Sequence, residues 1–437
     1  MLKNTNALTI AFNYIPTIYE FLNISEQISI SFLTKDCLRQ RKHIIVQKFP
    51  TCEQYNDLLL SCCKFNINKL FVKKVEDLIT LSRNVLNLKF DVNFNKSIDL
   101  PEWIQIIEFG HSYNQPIILP ESITHLTFGI YYNQPTKLPS KLTHLIFQEY
   151  SEYDQVTELP NKLTHLTFGR YYNQPTKFPD TLQYLTFGEK YDQKTSLPES
   201  LLHLTFGRNF CQKIVLPNNL THLTNFNHLS SFVPAHLPHF AHKIIKLPDS
   251  ITHLTFSDYF DEPVELPTSL THVTFGRNFN QNIKLPDKIT HLVFGNMYNQ
   301  PMQLPCELTH LVFGNEYNQI TTLPQKIKHL VFGDMYNQLT FIPDSVTHLK
   351  FGYSYNQSIM LLSTQMVSEA KSLYLKFGTC YNQSIKLPDS ITHLTFGEDY
   401  NQSTALPSQL TNLEFAKYSK YNQSPELTKH VKYIKFW

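Results

Sequence analysis

No CxxC pair occurs among the seven cysteines, Cys37, Cys52, Cys62, Cys63, Cys211, Cys306 and Cys380. Their odd number and irregular spacing argue against a disulfide framework or a zinc ribbon and fit a reducing compartment. Net charge is nearly absent at +2. No global basic field therefore draws the chain to nucleic acid or to an anionic membrane. No apolar run approaches the roughly 18 residues that span a bilayer. The opening MLKNTNALTIAFNYIP lacks both a clean apolar core and a small-residue cleavage site. The expectation is a soluble, intracellular, cytoplasmic chain, of the host cell if viral, with neither a membrane nor a nucleic-acid partner. GxSxG, Walker, HExxH and GxGxxG patterns are also missing, which leaves enzyme chemistry without a motif.

What the chain has in abundance is aromatic side chains, 32 Phe and 24 Tyr, enough to argue against disorder. They are periodic. Leu-Pro pairs start at 100, 119 and 138, then 159, 178 (Phe-Pro), 197 and 216, and resume at 247, 266, 285, 304, 323, 342 (Ile-Pro), 387 and 406. A phenylalanine column at Phe90, Phe109, Phe128, Phe147 and onward to Phe436 keeps the same 19-residue step. Asn225 breaks that column, with Phe226 one place late. Further breaks fall at 148–154, 225–246 and 361–377. A single globular core has no need for one residue type at one spacing, whereas stacked units do.

Within one unit, Ile123-Thr124-His125-Leu126-Thr127-Phe128 alternates apolar and polar positions, which predicts a strand. Gly129 is expected to end it in a tight turn, and Tyr132-Asn133-Gln134-Pro135 reads as turn chemistry. Leu138-Pro139 closes the coil on a return side that cannot be a central strand. Nineteen residues leave little room for a helix. The expected fold is a mainly β solenoid of about 18 coils with parallel strands over residues 85–437, burying the equivalents of Ile123, Leu126, Phe128 and Leu138. The recurrent Asn (Asn114, Asn133, Asn299 and others) is expected to form a ladder that satisfies turn backbone groups.

The combination of (F/Y)NQP, Leu-Pro and THLTFG resembles FNIP repeats, relatives of the leucine-rich repeat abundant in slime-mould and giant-virus proteins. Phe94, Phe210, Phe260 and Phe279 carry the family's phenylalanine where other units have tyrosine. The resemblance implies a protein–protein interaction module without catalysis, whose contact face is the outward side of the strands. Many such proteins also carry an N-terminal F-box. Ile15, Pro16, Ile18, Phe21, Leu22, Ile28 and Leu33 resemble its leading Leu-Pro and amphipathic helices. This implies docking to a Skp-type adaptor of an SCF-type ubiquitin ligase. The alternative is a helical cap, since solenoid ends need shielding. Residues 1–84 are accordingly expected to form a small helical region, with 54–84 helical.

The candidate contact face comprises His125, Thr127, His144, His165, His253, His272, His291, His310, His329, His348 and His393, at slots alternating with the inward Leu and Phe. Stacked imidazoles should titrate as a coupled set and destabilise the fold at pH 5 relative to pH 7.5. One His per coil offers no closed metal shell. His236, His239 and His242 have Pro238 between the first two, so they are read as a loop insertion. No metal or cofactor is expected. A carbohydrate-active β-helix enzyme is the catalytic alternative, but the strand face offers Thr, His and Val with few carboxylates.

Overall fold

Alternation sets the fold locally. In His125–Phe128 the side chains of Leu126 and Phe128 are buried and those of His125 and Thr127 are half-buried. The computed structural model describes residues 44–45, 65–66, 69–79, 81–226, 245–361, 373–422 and 431–436. The chain divides into two compact units, Met1–Leu201 and Leu202–Trp437.

In the first unit Lys69–Val72, Asn87–Phe90, Ile106–Glu108, His125–Phe128, His144–Phe147, His165–Thr167 and Tyr184–Thr186 pair in parallel, each with the next. In the second unit the same arrangement runs from His203–Thr205 to Tyr433–Phe436. The register aligns His on His, Leu on Leu and Phe on Phe, as in His125↔His144, Leu126↔Leu145 and Phe128↔Phe147. Ile123, Leu126 and Phe128 are fully buried and Leu138 nearly so. Each such side chain contributes about 1.5–3 kcal/mol, but only once neighbouring coils close over it.

The turns follow from the same letters. The Pro120 carbonyl accepts from the Ile123 N–H at 3.2 Å, and Pro139 from Leu142 at 3.1 Å, so Leu-Pro-x-x-Ile/Leu is a hydrogen-bonded turn into each strand. Asn is the ladder between coils. The Oδ1 of Asn114 accepts the backbone N–H of Asn133 and the side-chain amide of Gln134, both at 3.0 Å. Asn299 does the same for Asn318 and Gln319. The Asn-Gln pair is thus a splice joining each coil to the next.

Two expectations are sharpened and one is corrected. The tyrosine of the Tyr-Asn-Gln-Pro segment is core: Tyr113, Tyr132, Tyr298, Tyr317 and Tyr336 are completely buried. Within a coil each ring stacks on its phenylalanine, Phe128–Tyr132 at 3.9 Å, and between coils on its own kind, Tyr113–Tyr132 at 6.1 Å. Glycine, secondly, has no positive φ among the described residues. It is required because a Cβ on Gly129 would lie 2.0 Å from the Gly110 carbonyl oxygen one coil below. The expected turn is there, with the Tyr113 N–H donating to the Gly110 carbonyl at 3.4 Å, but close backbone approach is what selects glycine.

Thirdly, 54–84 is not helical where it is described. Lys69–Val72 is a strand with Leu70 and Val72 buried, paired with Leu88 and Phe90, so the sheet begins before residue 85. Ile44–Ile45 likewise pairs in parallel with Phe65–Asn66. Among the described residues of this stretch there is one 3-10 turn, Val75–Leu78. Apolar density suggested a helix, whereas alternation at Leu70 and Val72 decides for a strand. The F-box-like residues Ile15 to Leu33 lie outside the described residues.

Breaks are absorbed without loss of register. Asn225 takes a left-handed φ of 55°, and the resulting bulge returns Phe226 to its column opposite Phe256. Its side-chain amide donates to the Phe206 carbonyl at 2.7 Å. The His236, His239 and His242 cluster lies outside the described residues.

Candidate interaction face

The outward face of each unit carries two columns. In the first unit His125, His144, His165 and Tyr184 stack with ring centroids 4.0–4.1 Å apart. In the second the ladder runs from His203 through His222, His253, His272, His291, His310, His329 and His348 at 4.0–4.4 Å. Tyr374 and His393 continue it at 4.6 and 4.1 Å. The structure therefore brings the expected histidines together within their units. Sequence reading missed Tyr184 and Tyr374, although both occupy the histidine slot and are planar rings of suitable size.

The residue before each histidine fixes its chemistry. Thr143 Oγ1 donates its single proton to the Thr124 carbonyl one coil below at 3.0 Å. It lies 2.9 Å from His144 Nδ1. With its proton already given away, the hydroxyl can only accept from the ring, so Nδ1 carries the hydrogen and Nε2 is left as an acceptor. The same pair of contacts recurs at Thr221–His222, Thr271–His272 and Thr309–His310. This threonine was not singled out in the sequence, though Thr-His recurs throughout.

Burial and, secondly, the neighbouring imidazoles push the pKa of His144, His222 and His310 down to about 4. Burial also lowers His125, His203, His272, His291 and His329. These eight histidines of the ladder are consequently neutral at physiological pH. It forms a stack of planar rings, one per coil. Among the described residues no three His, Cys, Asp or Glu side chains converge as a metal site would need.

The second column lies two residues further along each strand. It is Thr127, Ile146, Thr167 and Thr186 in the first unit. In the second it includes Thr255, Thr274, Val293, Val312 and Val331. Charges enter only toward its ends. Lys89 and Glu108 are adjacent and form an ion pair at 2.6 Å.

The FNIP repeat model matches residues 94–129, 113–150, 153–190, 191–224, 240–278, 279–316, 298–334, 317–354, 339–361 and 381–418, most of the chain. This chain is a member of the FNIP repeat family. FNIP coils of this kind are similar to the crystal structure of CroV588, described as a novel circular LRR protein, at 30% identity and a TM-score of 0.62. That match covers 94% of this chain and 77% of CroV588. A second likeness, to YopM from Yersinia enterocolitica WA-314, has 18% identity and a TM-score of 0.51 over 92% of this chain and 93% of YopM. It shows a shared leucine-rich-repeat fold for the FNIP array and no more. No curated protein sequence matches the chain. No helix among the described residues is long and apolar enough to cross a membrane.

Proposed function

We propose that this FNIP protein is a non-catalytic interaction scaffold that binds a protein partner on the outward strand face. One observation carries the reading. The inward Leu, Phe and Tyr, the Asn-Gln splice, the Pro turn and the Gly column are all consumed in holding coil to coil. The half-buried His and Thr/Val columns are the regular strand positions that the core does not take up. Such a face is nearly uncharged through most of its length and stiffened by parallel pairing, which keeps the ordering cost of binding low. The chain's activity is then recognition, carried out inside the cell.

The test compares capture of partners from host lysate by the full chain and by two variants. Thr274→Arg combined with Val312→Arg changes the face, and Lys284→Glu changes an exposed return position. Loss of a saturable partner in the first only, with both variants melting like wild type, supports the reading. Equal capture by all three overturns it. Docking of a Skp-type adaptor to Ile15, Pro16, Ile18, Phe21, Leu22, Ile28 and Leu33 rests on sequence resemblance. A purified adaptor whose binding is unchanged by Ile18→Ala with Leu22→Ala would reduce residues 1–84 to a cap.

A further inference from the structure

In the second unit the outer column is uncharged through Val331, and then Lys350 and Lys376 stand as register partners on adjacent strands. Like charges placed directly opposite destabilise a sheet. At corresponding slots of the first unit the same column places Glu108 beside Lys89 and closes an ion pair. No ion pair reaches Lys350 or Lys376 among the described residues. Glu414 lies two strands from Lys376, with Thr395 between. Lys328 adds a third exposed cation one strand earlier, near enough to contribute, after burial and the neighbouring imidazoles, to the lowered pKa of His310 and His329.

The surface changes shape at the same place. His348, Lys350, Tyr374 and Lys376 are exposed, whereas His291, His310 and His329 are half-buried. A hollow of about 330 Å³ is lined by His329, His348, Tyr374 and His393 together with the two lysines. A second, of about 420 Å³, adjoins it and shares Lys350, Lys376, Thr395 and Glu414. The lysines thus stand in the middle of a strip that runs from the ring ladder to Asp334 and Tyr353.

We propose that Lys350 and Lys376 form an anion-binding site that receives the carboxylates of an extended, acidic peptide segment of the protein partner. The proposal deepens the strand-face reading and rests on it. Two joined hollows offer more length than one small anion fills. A nucleic-acid strand is disfavoured because both ring faces of His348 and Tyr374 are covered by stacked neighbours and cannot take a base. Carboxylates between the two ammonium groups would remove the repulsion that the sheet otherwise retains.

The probe is a fluorescein-labelled deca-glutamate peptide, titrated by anisotropy against the full chain at low and moderate salt, with deca-glutamine for comparison. Binding of the glutamate peptide alone, weakening with salt, is expected. Lys350→Glu with Lys376→Glu should weaken it by about tenfold or more, and Lys284→Glu by less than about twofold. Lys376→Glu alone gives Lys350 the kind of neighbour that Lys89 has, so its Tm should rise while binding falls, an opposition that a purely structural role does not produce. Undiminished binding by the double variant, or equal loss in Lys284→Glu, overturns the assignment. Complete displacement of the peptide by inorganic phosphate at matching charge concentration marks a small-anion site and also overturns it. If the lysine variants are silent while Thr274→Arg with Val312→Arg still loses the protein partner, the strand face stands and the lysine site alone falls.

Discussion

The partner of a buried tyrosine generally depends on the residue four places later. Where that residue is threonine the phenol is bonded, as in Tyr153–Thr157 at 2.5 Å, Tyr172–Thr176 at 2.6 Å and Tyr336–Thr340. Where it is apolar the hydroxyl is buried without a partner, as at Tyr113, Tyr298, Tyr355 and Tyr381, followed by Ile117, Met302, Ile359 and Ile385. Coils with phenylalanine in the slot avoid the problem: Phe94, Phe210, Phe260 and Phe279 are followed by Ile98, Ile214, Val264 and Ile283. A buried unpaired hydroxyl costs about 1–3 kcal/mol. Tyr355→Phe should therefore leave stability unchanged or raise it. Tyr336→Phe should lower it by about 1 kcal/mol, because Thr340 loses its phenol partner and keeps only the Gln338 carbonyl. Urea denaturation of the two variants side by side checks this, and a larger loss in Tyr355→Phe would refute the pairing rule.

At the scale of the element, the histidine ladder ties the strand face to pH. Unfolded histidines protonate near 6.5, while His144, His222 and His310 resist until about 4 in the fold. Between these values the unfolded chain binds more protons. Stability contributed by the ladder is thus complete above about pH 6.5 and is lost as pH falls toward 4. The Tm at pH 5 should lie about 5 °C or more below that at pH 7.5. His310→Phe keeps a stacking ring and should shrink the difference; a difference unchanged in that variant, or equal melting at both pH values, would show that the ladder does not control it. The stacking was legible in the sequence because His recurs at a strand slot. The neutral, Nδ1-protonated state was not, since it depends on a threonine hydroxyl bonding across coils, and a carbonyl one coil below has no marker in the chain's letters.

For the whole molecule, the period, strand positions, register and inner Leu and Phe were readable because each is a repeated side-chain choice. The depth of tyrosine was not, since Tyr-Asn-Gln-Pro has the composition of a surface turn and only stacking on Phe draws the ring inward. The reason for glycine was also hidden, because a backbone-to-backbone approach leaves the same letter as a turn. Contacts that run only between neighbouring coils make the array additive. Deleting residues 296–314 removes one 19-residue step, matching the spacing of the ladder bonds on either side. That variant should keep a cooperative melt and its far-UV circular dichroism shape. Deleting 296–313 instead shifts every later column by one place and turns inward side chains outward. Its melt should broaden and fall sharply in temperature, and similar melts for both deletions would contradict a register-locked array.

The bulge at Asn225 and the longer coils bear on how such a chain can change. Ladder bonds join residues 19 apart at Thr271 and Thr252, 21 apart at Thr164 and Thr143, 26 apart at Asn382 and Asn356, and 31 apart at Thr252 and Thr221. The sheet counts strands rather than residues. Steps of different length end on the same strand-to-strand bonds. These longer steps are natural grafting points, where a loop carrying a new epitope could be spliced in while the strands on either side keep their register.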